Sequence, residues 1–174
     1  MPLLHRRTLL VSAAALAATA ALPARAATAG QRAPDFSLPD VNGKPVRLSD
    51  YRGKFVVLEW TNPGCPFVRK HYDSGNMGAT QKAARDQGVV WLSINSTEKV
   101  STDYMEPAKL AAWLKERHNL ASAVLMDEDG TVGRSYNAMT TPHMYIVDPQ
   151  GVLVYAGGID SIPSARVADI EKAT

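Results

Sequence analysis

Two apolar segments constrain the fold of this chain more than any other feature of its sequence. Phe55–Trp60 is interrupted by a single charged residue, Glu59, and Val89–Asn95 is similarly rich in large apolar side chains. Continuous runs of this length and composition are typical of strands that are buried on both faces of a sheet. We therefore predict that both segments lie in the interior of one mixed sheet.

The remaining segments alternate between helical and strand patterns. Asn42-Gly43 predicts a tight turn in a small β-hairpin over residues 36–48. The other predicted elements are a helix from Cys65-Pro66 to Gln87 with an interruption near Ser74-Gly75, a strand over Val89–Asn95, a helix over Pro107–His118, a short strand over Ala123–Met126, a short helix over Thr131–Tyr136, strands over Met144–Val147 and Val152–Tyr155, and a helix from Ser164. This order predicts an α/β fold: a central mixed β-sheet flanked by helices, with an N-terminal β-hairpin.

The first 26 residues have the pattern of a secretory signal peptide. His5-Arg6-Arg7 forms a positive region, Leu9–Leu22 is an Ala- and Leu-rich apolar run, and Ala24-Arg25-Ala26 is a small-x-small cleavage site. The arginine pair also permits the twin-arginine route. An uncleaved anchor helix is the less favoured alternative because the run is only moderately apolar. We predict cleavage after Ala26, a periplasmic product and one domain over residues 27–174.

The basic balance of the whole chain comes from this predicted signal. Three of the 19 basic residues and none of the 17 acidic residues lie within residues 1–26, which leaves 16 basic and 17 acidic residues in the predicted mature chain. A nearly balanced charge gives no indication of a nucleic-acid partner. No run after Ala26 is long and apolar enough to span a bilayer, so no stable membrane anchor is expected.

The chain contains one cysteine, Cys65, which excludes an intrachain disulfide. The simplest interpretation of a lone cysteine is a buried, inert small hydrophobe. Here, however, Cys65 comes where a buried strand leads into a helix that opens with Pro66. Unpaired N–H groups and the helix dipole favour negative charge at such a position, and the thiolate is the nucleophilic form of cysteine. Cys65 is therefore the candidate catalytic nucleophile.

Two further features accompany the cysteine. Glu59 lies six residues before it in an apolar strand, where a buried carboxyl group would hold its proton more tightly and could exchange protons with the thiol directly or through water. The alternative places Glu59 facing outward with no role. Thr141-Pro142 precedes a predicted strand, and we predict that this bond is cis and lies beside Cys65. Arg69 and Lys70 are interpreted as solvated charges on the cysteine helix, and the alternative is that either folds back and favours the thiolate.

These segments resemble the thioredoxin superfamily, in its redoxin (alkyl hydroperoxide reductase/thiol-specific antioxidant) branch and its peroxiredoxin-like subgroup. The similarity spans about residues 30–172. It is carried by Ala33-Pro34-Asp35-Phe36-Ser37-Leu38, Asn42-Gly43-Lys44, Leu48-Ser49-Asp50-Tyr51, Glu59, Cys65 and Thr141-Pro142. The resemblance implies a thioredoxin-like fold, catalytic Cys65 and Glu59, and a substrate groove shaped by Asn62, Pro66, Thr141 and Pro142.

This chain departs from the family pattern at several positions, and these departures limit the chemistry that the resemblance implies. Val68 stands at the second cysteine of the thioredoxin Cys-x-x-Cys motif, so no dithiol reaction is available within the chain. Leu58 and Asn62 replace the proline and the threonine or serine of the peroxiredoxin pattern. The distant arginine of that pattern would fall at or beside Pro142. The usual peroxide-binding arrangement is therefore missing.

Two hypotheses follow. In the first, the protein is a thiol-dependent oxidoreductase whose Cys65 attacks a disulfide or a peroxide, and an external thiol reductant resolves the intermediate. In the second, it is a non-enzymatic module that binds a partner through the same groove. Neither requires a cofactor. A metal-binding role is disfavoured because a single cysteine supplies only one soft ligand.

Overall fold

The computed structural model describes residues 27–173, and the predicted signal peptide lies outside them. The strands are β1 (Ser37–Pro39), β2 (Pro45–Arg47), β3 (Val56–Trp60), β4 (Val90–Asn95), β5 (Ala123–Met126), β6 (His143–Val147) and β7 (Leu153–Gly157). The α-helices are α1 (Pro66–Asp73), α2 (Asn76–Asp86), α3 (Pro107–Glu116) and α4 (Thr131–Tyr136). Short 3₁₀ helices cover Leu48–Tyr51 and Val167–Lys172.

The central sheet has five strands in the order β5-β4-β3-β6-β7. Strands β3, β4 and β5 are parallel, whereas β6 runs antiparallel to both β3 and β7. Every residue of β3 and of β4 is buried. The prediction that both apolar runs occupy the interior of a mixed sheet is therefore confirmed, as is the thioredoxin-like fold class.

Side-chain alternation along β3 divides the core into two layers. Val56, Leu58 and Trp60 pack on one face against the β1–β2 hairpin, the first 3₁₀ helix and α4. Val57 packs on the other face against α1, α2 and α3. Because successive strand residues point to opposite faces, Glu59 lies on the same side as Val57, beneath the helix that begins after Cys65.

The helix after Cys65 is interrupted at the predicted place. Gly75 has φ 77°, in the left-handed region that glycine adopts without steric cost, and it separates α1 from α2. Pro66 occupies the first turn of α1, where its missing N–H removes no helical hydrogen bond. This break lets the chain fold α1 and α2 over the same face of the sheet.

One local prediction is corrected. The predicted helix from Ser164 is wrong: a 3₁₀ helix begins only at Val167. Buried Asp169 accepts hydrogen bonds from Ser164, Arg166 and Lys172, which closes a tight local turn in place of a regular helix. The segment before β1 is attached to the domain, because Ala27 donates its N–H to Ser135 O (2.9 Å) and the following residues bond to β7 and the turn before it.

Within residues 27–173, no helix has the length and apolar character needed to cross a membrane.

Candidate functional site

The loop after β3 places Cys65 at the N-cap of α1. Cys65 is half-buried, has an extended backbone (φ −77°, ψ 124°) and is a free thiol. Asn62 braces this loop: its carbonyl accepts the N–H of Cys65 (3.0 Å), and its side-chain Oδ1 accepts the N–H of Gly64 (2.7 Å). The amide of Asn62 also donates to Thr97 Oγ1 (3.2 Å). The candidate nucleophile is thus held by a loop anchored to the segment after β4.

Strand pairing brings Thr141-Pro142 to the thiol. Strand β6 pairs antiparallel to β3 with His143 opposite Trp60, so the two residues before β6 face the loop after β3. The Thr141–Pro142 peptide bond is cis. The Cys65 thiol donates a hydrogen bond to the carbonyl of Thr141 at a sulfur–oxygen distance of 3.0 Å. Four predicted site residues, Cys65, Asn62, Thr141 and Pro142, therefore lie together, and Pro66 directly follows the cysteine.

Two cavities flank Thr141. One, of about 490 Å³, is polar and rich in hydroxyl groups, and its lining includes Thr61, Asn62, Ser96, Thr97, Ser101 and Thr141. The other, of about 520 Å³, is mainly apolar, and its lining includes Phe67, Thr141, Pro142, Ile159, Ile162 and Pro163. We call the second cavity the apolar groove. A substrate sulfur that approaches Cys65 along Thr141 would have room for attached groups on both sides.

Glu59 is completely buried and its carboxylate is surrounded by hydrogen-bond donors. Tyr72 donates its hydroxyl to Oε1 (2.8 Å), whereas the indole N–H of Trp91 (2.8 Å), the hydroxyl of Ser93 (2.9 Å) and the amide of Gln81 (3.4 Å) all reach Oε2. The interpretation in which Glu59 faces outward is therefore wrong. Hydrogen bonds from these four protein donors therefore take the place of water around the buried carboxylate.

Burial raises the pKa of Glu59 above its ordinary value of 4.5, because loss of water penalises the charged form. The four donors act in the opposite direction and lower the pKa, but burial is the larger effect. Glu59 therefore keeps its proton to a higher pH than an exposed glutamate does.

The sequence reasoning missed the partners of Glu59. Trp91 belongs to the apolar run Val89–Asn95, in which it reads as a simple core residue, yet its indole N–H is bonded to the carboxylate. Ser93 gave a usable signal, since it is a small polar residue in an apolar strand and the strand register places it directly opposite Glu59. Tyr72 and Gln81 come from α1 and α2, and only the packing of these helices on the sheet brings them to the carboxylate.

Glu59 and Cys65 lie on the same face of the sheet without direct contact. Cys65 packs against the core layer that contains Val57, Tyr72 and Trp91, the last two of which bind Glu59. In the described residues, the hydrogen bonds of the two Glu59 oxygens go to the four donors above and none joins Glu59 to the thiol. A proton passing between them needs a relay, so the shuttle stays a prediction.

The two cations of the cysteine helix have different environments. Arg69 is exposed, as expected, and its Nε donates to the carbonyl of Pro63 in the cysteine loop (2.7 Å). The interpretation of Lys70 as a solvated charge is wrong, because Lys70 is only 2% exposed and pairs with Asp160. The segment that carries Asp160 packs against α1 and covers Lys70.

No three His, Cys, Asp or Glu side chains within residues 27–173 converge as a metal site requires.

The raised pKa of Glu59 predicts how stability depends on pH. Between pH 4.5 and the folded-state pKa, the folded protein binds more protons than the unfolded chain, so the free energy of unfolding falls as pH rises through this window. The stabilisation that comes from protonated Glu59 is fully present below pH 4.5, the ordinary pKa of a glutamate. Glu59→Gln removes this titration, so the stability difference between wild type and variant should change with pH only there. Urea unfolding of both proteins at a series of pH values checks this, and parallel curves would contradict it.

Comparison with known proteins gives relatives of consistent type. The chain is 32% identical over 125 residues to thioredoxin-like protein YneN of Bacillus subtilis, covering 71% of this chain and 68% of that protein. It is 32% identical over 127 residues to thiol-disulfide oxidoreductase ResA of Geobacillus kaustophilus, covering 72% and 67%. A solved thioredoxin domain of a thiol-disulfide oxidoreductase from Bacteroides vulgatus superposes with a TM-score of 0.60 at 25% identity, covering 83% and 96%.

The sequence profile described as the AhpC/TSA family matches residues 29–156, which include the hairpin, the cysteine loop, the Thr141–Pro142 bond and nearly all of β7. The resemblance seen in the sequence is therefore confirmed over most of the described chain. On the combined evidence of profile, relatives and fold, this chain is a member of the AhpC/TSA family.

Proposed function

We propose that the protein is an exported thiol-dependent oxidoreductase in which Cys65 exchanges with a disulfide of a protein or small molecule. The observation that carries this proposal is the position of the thiol: it is half-buried at the N-cap of α1 and hydrogen-bonded to the carbonyl of Thr141, a residue that lines two cavities. The relatives named as thiol-disulfide oxidoreductases support the same reaction class.

The reaction follows from a single thiol. The Cys65 thiolate attacks one sulfur of the substrate disulfide, the substrate S–S bond breaks, and the departing thiolate takes up a proton. The product is a mixed disulfide between Cys65 and the substrate. Because the chain has no second cysteine, an external thiol must attack the Cys65 sulfur of this mixed disulfide and release the substrate thiol. A second external thiol then attacks the new mixed disulfide and releases Cys65, so that the two external thiols end as a disulfide and both substrate sulfurs as thiols.

The remaining site residues have supporting roles in this proposal. Glu59 donates the proton to the departing thiolate through a relay, since it retains a proton to higher pH than an ordinary glutamate. Asn62 holds the cysteine loop, Pro66 opens the helix, and Thr141 and Pro142 form the ridge against which the substrate lies.

A peroxide is the second candidate substrate, favoured by membership of the AhpC/TSA family. Cys65 would be oxidised to a sulfenic acid while the peroxide O–O bond breaks, and an external thiol would then condense with it and release water. Two residues argue against this as the main activity. Leu58 is fully buried, and the side chain of Asn62 is engaged by Gly64 and Thr97, so neither replaces the peroxide-binding residues of the family pattern.

A binding module is the alternative from a different class, and Val68 is the observation that favours it. Val68 fills the second-cysteine position and is fully buried in the helix-side core.

A trapping experiment distinguishes the oxidoreductase from the binding module. The reduced protein is treated with oxidised glutathione or hydrogen peroxide and analysed by intact-mass spectrometry. A mixed disulfide or sulfenic acid at Cys65 supports the oxidoreductase. An unmodified thiol under both treatments overturns it.

We also propose that residues 1–26 are removed and that the redoxin domain, residues 27–174, acts in the periplasm. Its support is the sequence pattern of the signal, in which a small-x-small cleavage site ends at Ala26. N-terminal sequencing of the protein from the cell envelope should begin at Ala27. Recovery of an intact Met1 on membrane-bound protein would refute export as a cleaved product.

A further inference from the structure

The helix that carries Cys65 contains a buried ionic cluster that the proposed chemistry does not use. Lys70 and His71 are each 2% exposed, and both contact Asp160, which lies 90 residues further along the chain. Lys70 Nζ pairs with Asp160 Oδ2, and His71 Nε2 lies 3.2 Å from the same oxygen. We call these three residues the Lys70 cluster.

Hydrogen bonds also fix the orientations of His71 and Asp160 within the cluster. Asn76 Nδ2 lies 2.8 Å from His71 Nδ1, so an amide that donates there leaves the ring proton on Nε2, facing Asp160. The other oxygen of Asp160 accepts the backbone N–H of Ile162 (3.2 Å). Burial lowers the pKa of His71, which is consistent with a neutral ring that donates to the carboxylate. A buried charge is costly unless its partner is fixed, so the geometry of this cluster is strongly constrained.

The cluster joins the two walls of the apolar groove. Asp160 belongs to the segment 158–163, which lines the groove together with Phe67 of the first turn of α1. Lys70 and His71 are on the same helix as Phe67, and that helix begins at Cys65. The ion pair therefore ties the groove-lining segment 158–163 to the helix that begins after Cys65. Loss of the pairing would release the wall but would leave the Cys65–Thr141 contact in place.

We infer that Lys70, His71 and Asp160 are positioning residues that set the width of the apolar groove for substrates large enough to touch both the thiol and segment 158–163. This inference rests on the proposed function, because it concerns the substrate of the same thiol. A polypeptide disulfide with apolar residues beside its cysteine would contact this wall, whereas a compact disulfide would reach the thiol alone.

Two probes of different size test this inference. The first is a short leucine-rich peptide whose single cysteine is linked to thionitrobenzoate through a disulfide, and the second is bis(thionitrobenzoate) disulfide alone. In both reactions the Cys65 thiolate forms a disulfide with the attacked sulfur and releases thionitrobenzoate, which is measured by absorbance. Because small misplacements of a bound substrate can slow a reaction by up to about 10²-fold, we expect Asp160→Asn to raise the peptide concentration that half-saturates this single-turnover reaction about tenfold, while the small probe reacts at the wild-type rate.

The chain offers a matched control in Lys82 and Asp86, an exposed ion pair one helical turn apart on α2. Lys82→Met and Asp86→Asn should leave both reactions unchanged. Lys70→Arg, which keeps the charge, should preserve peptide binding better than Lys70→Met. If single variants do not fold, Lys70→Met combined with Asp160→Leu removes both charges at once and permits the same comparison.

The outcomes distinguish the positioning role from the proposed oxidoreductase function. If the variants react more weakly with the peptide but normally with the small probe, the positioning role is supported. Equal losses with both probes, or no loss with either, overturn it while leaving thiol exchange at Cys65 intact. If the wild-type protein reacts with neither probe, the proposed oxidoreductase function fails and the positioning role fails with it.

Discussion

Cys65→Ser is expected to abolish covalent capture of a disulfide substrate completely. A serine hydroxyl is not deprotonated at neutral pH and forms no disulfide, and the chain has no other thiol to take its place. Serine is a favoured N-cap residue and can donate to Thr141 O as the thiol does, so the fold should be preserved. Intact-mass spectrometry after incubation with oxidised glutathione measures the capture, and thermal unfolding checks the fold.

The biological result discriminates between the two functional classes. A strain that carries only the Cys65→Ser protein should behave like a deletion strain in any phenotype that depends on exchange. Full activity of this variant in the cell would mean that the thiol chemistry is not the function, and the binding module would then be the better description.

Glu59→Gln is expected to slow thiol–disulfide exchange strongly without unfolding the protein. General acid–base catalysis typically contributes about 10²–10⁴-fold, so an effect of this order is expected wherever proton transfer limits the rate. Glutamine can keep an oxygen toward Trp91 and Ser93 and place its amide toward Tyr72, whose hydroxyl has a second acceptor in Asn119 at 3.4 Å. Stopped-flow exchange from about pH 5 to about pH 9 gives the comparison.

A matched variant shows whether the carboxyl group itself is responsible. Tyr72→Phe removes one donor to Glu59 and retains the carboxyl, so it should shift the pH dependence of exchange and keep most of the rate. If Glu59→Gln exchanges as fast as wild type throughout the pH range, Glu59 has no part in proton transfer. Its burial would then serve only to bind Trp91, Ser93, Gln81 and Tyr72 together.

The central fold was predictable because its determinants are local. Uninterrupted apolar runs give β3 and β4, Asn42-Gly43 gives the hairpin turn, and Gly75 separates α1 from α2. The same holds for the thiol, whose place between a buried strand and a helix is visible in a few consecutive residues. Such features need no knowledge of what packs against them.

Other features depend on partners that are distant in the sequence. Lys70 has the local context of a surface lysine, and only the arrival of Asp160 buries it. The hydrogen-bond partners of Glu59 come from β4, α1 and α2, so a single buried acid predicted a perturbed carboxyl group but not its surroundings. At the C-terminal end, the carboxylate of Asp169 outweighs the helical pattern of the residues around it.

The docking of Ala27 onto Ser135 has a consequence for the order of events during maturation. A peptidase that cuts after Ala26 needs an extended, accessible chain on both sides of the bond, whereas Ala27 is half-buried against the core and its N–H is bonded to the folded body. If the proposed cleavage after Ala26 occurs, it must therefore precede the attachment of this segment to β7, or it must compete with that attachment. The new terminal ammonium would then replace an amide as the donor to Ser135 O.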